Sequence, residues 1–241
     1  MKAMVFAAGL GTRLKPLTDR MPKALVPVGG RPLLGILLEK LHRGGFTDVV
    51  INVHHFADQI EEWCCGREGI TLSDERQALL ETGGGIRHAA PLLQGAERFL
   101  IHNVDILSNV DLSAFWAAGE GTEAMLLVSD RPTQRYLLFD DGLRLVGWTN
   151  VKTGEVRSPY TDLNPSTCHR LAFAGIHQMS ASLLARMDSW PERFSIIDFY
   201  LALCRECDIR AYIQPDLCLI DVGKLDTLAE AEHFFNENGA S

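Results

Sequence analysis

The chain has 241 residues, 46% of them apolar and 22% charged, with a formal net charge of −8. This length and composition suit one large α/β domain with an ample core, and they exclude a general nucleic-acid or acidic-membrane binder, which needs a basic face. An acidic chain that grips a polyphosphate must focus its cations locally or recruit a divalent metal.

The first apolar run, residues 3–8, predicts a buried strand that breaks into Gly9-Leu10-Gly11-Thr12-Arg13. Two small residues let backbone N–H groups approach an anion closely, and an arginine adds a fork of donors. The dinucleotide fingerprint needs a glycine where Leu14 stands, and the P-loop needs a Gly-Lys-Ser/Thr that is missing. By its glycines alone, the stretch reads equally well as an ordinary strand-to-helix turn. A helix is expected from Arg31-Pro32 through His42, with apolar positions 33, 34, 37, 38 and 41 at helical spacing and Gly44-Gly45 ending it. Residues 48–53 predict a second buried strand, 56–65 a second helix and 70–73 a short third strand. A loop over 74–81 leads to Thr82-Gly83-Gly84-Gly85, read as a turn that opens a helix over 86–93. Residues 99–104 predict a fourth strand, ending at Asp105.

The pattern then changes. Residues 124–129 read as a strand, 136–139 and 143–146 as a hairpin, and 150–169 as a polar stretch with little periodicity. Strand character returns over 171–177. Helices follow near 180–187 and 195–207, strands over 209–213 and 217–221, and a last helix over 224–236. The alternation predicts a Rossmann-like α/β domain: a mixed, mainly parallel sheet with helices on both faces, plus a small antiparallel elaboration over about 130–180 that covers the active edge. Residues 1–241 are expected to form a single domain, with 1–129 holding nucleotide and about 130–241 holding the second substrate and the closing helices.

The six cysteines include Cys204-Arg-Glu-Cys207, which has redox or zinc spacing but lacks a second pair, so both are expected as core residues of a helix. His54 and His55 are adjacent on an extended chain and point to opposite sides, which disfavours a shared metal. No apolar run approaches the length of a membrane span, and the chain reads as cytoplasmic and reduced. Asp105 and Asp221 each follow an apolar strand, on the edge that carries the glycine-rich loops. Two carboxylates beside a phosphate loop suit Mg²⁺, a hard cation that takes one or two carboxylates plus substrate phosphates.

The run from Ala7-Ala-Gly-Leu-Gly-Thr-Arg-Leu-Lys-Pro-Leu-Thr18, through Pro22-Lys-Ala-Leu-Val-Pro-Val28, to Arg31-Pro-Leu33 resembles the signature of the sugar-1-phosphate nucleotidylyltransferases. Glu81-Thr-Gly-Gly-Gly-Ile86, Asn103-Val-Asp105, Phe173-Ala-Gly-Ile176 and Asp221-Val-Gly223 are similar to later blocks of that family, in the same order. The likeness leans toward the short branch of N-acetylmuramate-1-phosphate uridylyltransferases. The resemblance implies a GT-A-like nucleotidyltransferase fold with no β-helix acyltransferase domain. It also implies an enzyme that joins an NTP to a sugar 1-phosphate and releases pyrophosphate, with Mg²⁺ as cofactor.

Carried over residue by residue, Ala8, Gly9, Gly11 and Thr12 would hold nucleotide, Arg13 the β- and γ-phosphates, and Lys23 the α-phosphate or incoming sugar phosphate. Asp105 and Asp221 would share the metal; Arg13, Lys23 and Asp105 form the catalytic set. Glu75, Glu81, Gly83 and Asn103 would contact base or ribose, and Gly175 and Asp198 the sugar. Two departures stand out. Val104 replaces the glycine usual before the metal aspartate, and no glutamate-lysine pair stands between Ser129 and Leu171, where Arg131, Arg135 or Lys152 could substitute. Trp148, Tyr160 and Phe173 are candidates for the sugar pocket. UTP with N-acetylmuramate 1-phosphate is the first expectation; GTP with mannose 1-phosphate or a heptose phosphate, and CTP with phosphocholine, stay open. A nucleotide-binding module without turnover is the alternative of another class. The oligomeric state is not readable.

Overall fold

A computed structural model describes residues 1–238. The chain begins with β1 (Lys2–Phe6) and a loop of three 3-10 turns (Thr12–Leu14, Leu17–Asp19, Lys23–Leu25). Next come β2 (Pro27–Val28), β3 (Arg31–Pro32), α1 (Leu33–Arg43), β4 (Asp48–Val53), α2 (Ala57–Cys64) and β5 (Ile70–Asp74). These are followed by α3 (Glu81–His88), α4 (Ala90–Leu93), β6 (Arg98–Asn103), β7 (Ile106–Ser108), α5 (Leu112–Ala118) and β8 (Ala124–Ser129). The middle supplies β9 (Arg135–Phe139), β10 (Leu145–Asn150), β11 (Glu155–Arg157) and the long β12 (His169–Ser180). The described chain closes with α6 (Ala181–Ala185), a 3-10 turn (Arg186–Ser189), α7 (Ile196–Leu203), β13 (Ile209–Ile213), β14 (Leu219–Asp221) and α8 (Leu225–Asn238).

Apolar runs in β1, β4 and β6 place these strands inside a ten-stranded sheet, ordered β11-β10-β9-β12-β6-β1-β4-β5, with β8 also paired to β12 and β13 paired to β8. The β6-β1-β4-β5 half is parallel throughout. The predicted antiparallel elaboration is β9-β10-β11, which joins through the first part of β12. β12 pairs with β8 on both sides of a register shift between Phe173 and His177, and with β6 from Ile176 onward. Gly175 lies in that break with φ +76°, a conformation that favours glycine.

Helices cover both faces. Leu34, Leu37 and Leu41 of α1, Ile60 of α2 and Phe115 of α5 fill one core. Ile86 of α3 and Ile196, Phe199 and Tyr200 of α7 fill the other. A smaller third core sits under the opening loop, where Leu14, Val26, Val28 and Leu33 meet Leu107 and Val222. No helix among the described residues is long and apolar enough to cross a membrane. Cys204 and Cys207 are buried as expected, just beyond the end of α7, and burial pushes the Cys204 thiol up to about 11.

The expected turn over residues 82–85 is not a turn. Gly83, Gly84 and Gly85 lie inside α3 and are buried. A Cβ at Gly83 would fall inside the van der Waals envelope of the Phe194 ring, and one at Gly84 would strike the Glu192 carbonyl. A Cβ at Gly85 would stand 2.9 Å from Glu75 Oε1 and 3.2 Å from Asn52 Nδ2. None of the three has a positive φ. They are small so that α3 can press against the 192–196 segment and the end of β4, although glycine costs roughly 1 kcal/mol per helical position relative to alanine. Helix α5 and strand β7 were not anticipated; Asp111 caps α5, accepting from Ser113 N at 2.9 Å and Ala114 N at 3.0 Å.

The close approach at α3 predicts that Gly83→Ala, despite a better helix propensity, lowers the unfolding free energy by about 1–3 kcal/mol through overpacking against Phe194. Urea denaturation reads the loss. A stabilised variant would mean that Phe194 moves aside freely.

Candidate active site

The carboxyl ends of β1, β4 and β6 define a cleft of about 260 Å³ lined by Phe6, Ala7, Ala8, Gly9, Lys23, Asn52, Glu75, Glu81, Thr82, Asn103 and Asp105, among others. Sheet register puts Asn52 and Asn103 on either side of Phe6, at the last rung of the central strand. Asn52 Oδ1 accepts from Ala7 N at 2.7 Å and Ala8 N at 3.2 Å, so it sets the backbone where the strand becomes the loop. Asn52 Nδ2 donates to Glu75 Oε1 at 2.8 Å. Glu75 Oε2 is buried without a protein partner. Burial raises the Glu75 carboxyl above its ordinary value, and the Asn52 hydrogen bond opposes that shift.

Beyond Ala8 the loop changes from buried to open. No atom lies within 4 Å of the point where a Cβ at Gly9 would stand, so its backbone is free to face a ligand. Gly11 has φ +62°, and its carbonyl accepts from Thr18 Oγ1 at 2.8 Å and Leu14 N at 2.8 Å. That clamp folds Thr12 and Arg13 into the first 3-10 turn.

Lys23 and Asp105 form an ion pair at one end of the cleft, with Nζ donating to Oδ2. Strand β14 pairs with β7 so that Asp221 stands opposite Ile106, and Val222 N donates to Asp105 O at 2.8 Å. Asp221 Oδ1 is buried and has no protein partner. A Cβ at Gly223 would meet Asp221 Oδ1 at 2.6 Å and Arg13 Nη2 at 2.7 Å, so this glycine lets the carboxylate and guanidinium share one small space. Lys23 and Asp105 thus line the cleft, and β14 brings Asp221 and the nearby Arg13 next to Asp105 from outside that lining. Two carboxylates, one with an orphaned buried oxygen, make a hard-oxygen donor set that fits a divalent cation among phosphates.

Other expected residues fall differently. Glu81 lines the cleft with φ +63°, its carboxylate held by Arg193 at 2.9 Å. Gly83 packs against the Phe194 ring, and its N–H donates to Phe194 O at 2.9 Å. Asn103 lines the cleft and its Nδ2 lies 2.6 Å from the Cβ point of Gly175, so Gly175 makes room for that amide. Asp198 lies outside the cleft and pairs with Arg157; Ser195, accepting from Ile197 N at 3.2 Å, caps α7 instead. Val104 lines the cleft wall. Trp148 and Phe173 line a second cavity, whereas the Tyr160 hydroxyl donates to Cys204 O at 3.4 Å. His54 Nδ1 donates to Glu75 O at 2.7 Å, and His55 packs against Phe56, so they share no site.

Asn52 was not anticipated. Its signal was the polar residue inside Val-Val-Ile-Asn-Val, an otherwise fully apolar strand where a buried amide needs partners.

The family described as MobA-like NTP transferase domain matches residues 3–190. The N-acetylmuramate alpha-1-phosphate uridylyltransferase of Caulobacter vibrioides is 48% identical over 109 residues, 43% of this chain and 45% of that protein. The enzyme of the same name from Neisseria meningitidis is 45% identical over 118 residues, 47% of this chain and 51% of that protein. The chain therefore spans about half the length of these two curated relatives. The crystal structure of HddC from Yersinia pseudotuberculosis complexed with GMP-PN shares the fold, with a TM-score of 0.75 at 21% identity over 97% of this chain and 99% of that one.

Glu75 gives the cleft a pH signature. Its folded-state pKa lies above the ordinary 4.5, so the folded protein holds the extra proton. Its contribution to stability is therefore full below that ordinary value and is lost as pH rises through the raised one. The unfolding free energy of Glu75→Gln relative to wild type should become more favourable to the variant as pH rises above the ordinary carboxyl value. Urea denaturation at each pH reads this; a difference that stays flat with pH would show an ordinary carboxyl.

Proposed function

The chain belongs to the MobA-like NTP transferase domain family, and we propose that it is a sugar-1-phosphate nucleotidylyltransferase. It takes an NTP and a sugar 1-phosphate to an NDP-sugar and pyrophosphate, with UTP and N-acetylmuramate 1-phosphate as its pair. The observation that carries this reading is the gathering of Arg13, Lys23, Asp105 and Asp221 beside a cleft whose other end is the buried Asn52–Glu75 pair. The choice of pair draws on the two uridylyltransferase relatives.

In this reaction a phosphate oxygen of the sugar 1-phosphate attacks the α-phosphorus of the NTP. The bond from the α-phosphorus to its bridging oxygen breaks in line, and pyrophosphate leaves with that electron pair. No protein nucleophile is required, so catalysis rests on positioning and charge. Asn52 holds Ala7 and Ala8 so that the loop N–H groups past Ala8 face the phosphates. Arg13 braces the β- and γ-phosphates and then the departing pyrophosphate. Lys23 is held at Asp105 until anionic substrate competes for its ammonium, and it then draws two phosphates together. Asp105 and Asp221 would hold a divalent cation, Mg²⁺ by the chemistry of the donors, whose charge offsets that on the α-phosphate. Glu75, Glu81 and Asn103 border the space left for base and ribose.

A panel of NTPs and sugar 1-phosphates with Mg²⁺, read by pyrophosphate release, tests the reaction. UTP with N-acetylmuramate 1-phosphate should give the highest kcat/KM, and silence under every pairing would leave a nucleotide-binding module instead. Asp105→Asn should lower kcat by ~10²-fold or more while nucleotide affinity stays within roughly threefold. Equal losses in turnover and affinity would contradict the role given to Asp105.

A further inference from the structure

A second cavity of about 520 Å³ lies beside the cleft, in the antiparallel half of the sheet. The two are neighbours through shared walls. Thr82 lines the cleft and its Oγ1 accepts from Ile196 N at 2.9 Å, while Ser195 and Ile197 on either side line the cavity. On the sheet side, Asn103 of the cleft crowds Gly175, two residues along β12 from Phe173 of the cavity. A ligand with its phosphate at Lys23 would extend over Gly175 into this space.

Three guanidinium groups line it. Arg131 comes from the β8–β9 connection, Arg135 opens β9 opposite Asn150, and Arg157 ends β11 opposite Trp148. Arg157 is already neutralised, since Nη2 donates to Asp198 Oδ1 and the group lies 5.0 Å over the Trp148 ring. Arg131 Nη2 donates to Phe173 O at 3.1 Å, and its Nε is buried without a protein partner. Arg135 is exposed, and among the described residues its guanidinium has no ion pair. With Glu155 the remaining carboxylate of the lining, the cavity carries three cations against two anions, within a chain of net charge −8. Such a local surplus of forked donors, set in a concavity with the Trp148 and Phe173 rings, suits a planar two-oxygen anion on an otherwise sugar-like ligand.

We propose that this cavity binds a carboxylate carried by the acceptor sugar, so that Arg135, with Arg131 behind it, selects an acidic sugar 1-phosphate over its neutral counterpart. The inference rests on the nucleotidylyltransferase reading and adds the group by which the acceptor is recognised. N-acetylmuramate 1-phosphate differs from N-acetylglucosamine 1-phosphate by a lactyl ether, which brings one carboxylate; all else in the two ligands is shared. The second anion is thus read separately from the 1-phosphate, which stays at Lys23.

Equilibrium binding of these two sugar phosphates, measured by calorimetry with a non-hydrolysable UTP analogue present, tests the assignment. The wild-type protein should bind N-acetylmuramate 1-phosphate about tenfold more tightly, the scale of one charge-assisted contact. Arg135→Gln should bring the ratio close to one. Arg135→Lys, which keeps the charge and loses the fork, should restore it only in part. A wild-type ratio near one, or a ratio untouched by Arg135→Gln, overturns the proposal. So does an equal weakening of both ligands, because Arg135 would then hold the shared phosphate. Selective binding that persists in a protein with no turnover on any pairing would uphold the cavity and remove the reaction.

Discussion

The ion pair between Lys23 and Asp105 ties the opening loop to the carboxyl edge of the sheet. Their side chains are only 10% and 18% exposed. Withdrawing two charges from water costs several kcal/mol per ion in a protein interior, and the mutual attraction offsets that only with good geometry. Much of the architecture around the pair serves that geometry. The third 3-10 turn delivers Lys23, the end of β6 delivers Asp105, and β14 lays Val222 N on the Asp105 carbonyl. The small core of Leu14, Val26, Val28, Leu107 and Val222 holds these pieces together from below. Apolar side chains of similar volume would fill the same space with no desolvation cost. A charged pair at this point therefore makes sense as a place where an incoming anion and a cation can exchange partners.

At the opposite end of the cleft a second polar group is built on the same terms. Asn52 satisfies two backbone N–H groups and one oxygen of Glu75, and it leaves the other oxygen buried and unpaired. An orphaned buried carboxylate oxygen costs roughly 1–3 kcal/mol. The glycines of α3 bring that helix against Asn52 and Glu75, so the price of three weak helix formers is met by packing. The cleft is thereby bordered by two largely buried polar arrangements, the Lys23–Asp105 pair and the Asn52–Glu75 pair.

How much of this was legible in the residues follows from what each signal measures. The strands Asp48–Val53 and Ala124–Ser129 are legible to the residue because each is a nearly continuous buried apolar run, and Ile209–Ile213 because its buried and half-buried positions alternate at first. The cations and carboxylates of the site were legible as an ordered signature, not from spacing, since Lys23 and Asp105 are 82 residues apart. The run of glycines was misread for a physical reason. Glycine marks either a positive φ or a close approach, and only the tertiary neighbours Phe194 and Glu192 show that it is the second here. Asn52 was overlooked because apolar patterning treats one amide as noise, whereas its three hydrogen bonds exist only after β1, β4 and the end of β5 are assembled. The two-part pairing of β12 was hidden as well, since register depends on partners rather than on the strand itself.

The charge balance connects these observations. A chain of net −8 repels anions at a distance, so any polyphosphate or acidic sugar must be drawn by fields confined to concavities. Two of the cations that line the two concavities are committed to carboxylates of their own, Lys23 to Asp105 and Arg157 to Asp198. Such pairs hold long side chains in place before a ligand arrives, which lowers the entropy lost on binding. They also set a threshold, because a ligand must offer a better anion than the resident carboxylate. On the proposed function, a phosphate or a second acid group meets that demand, and a neutral sugar does not. Selectivity for anionic ligands on an acidic protein then needs no large basic surface, only a few guanidinium and ammonium groups whose resident partners can be outcompeted.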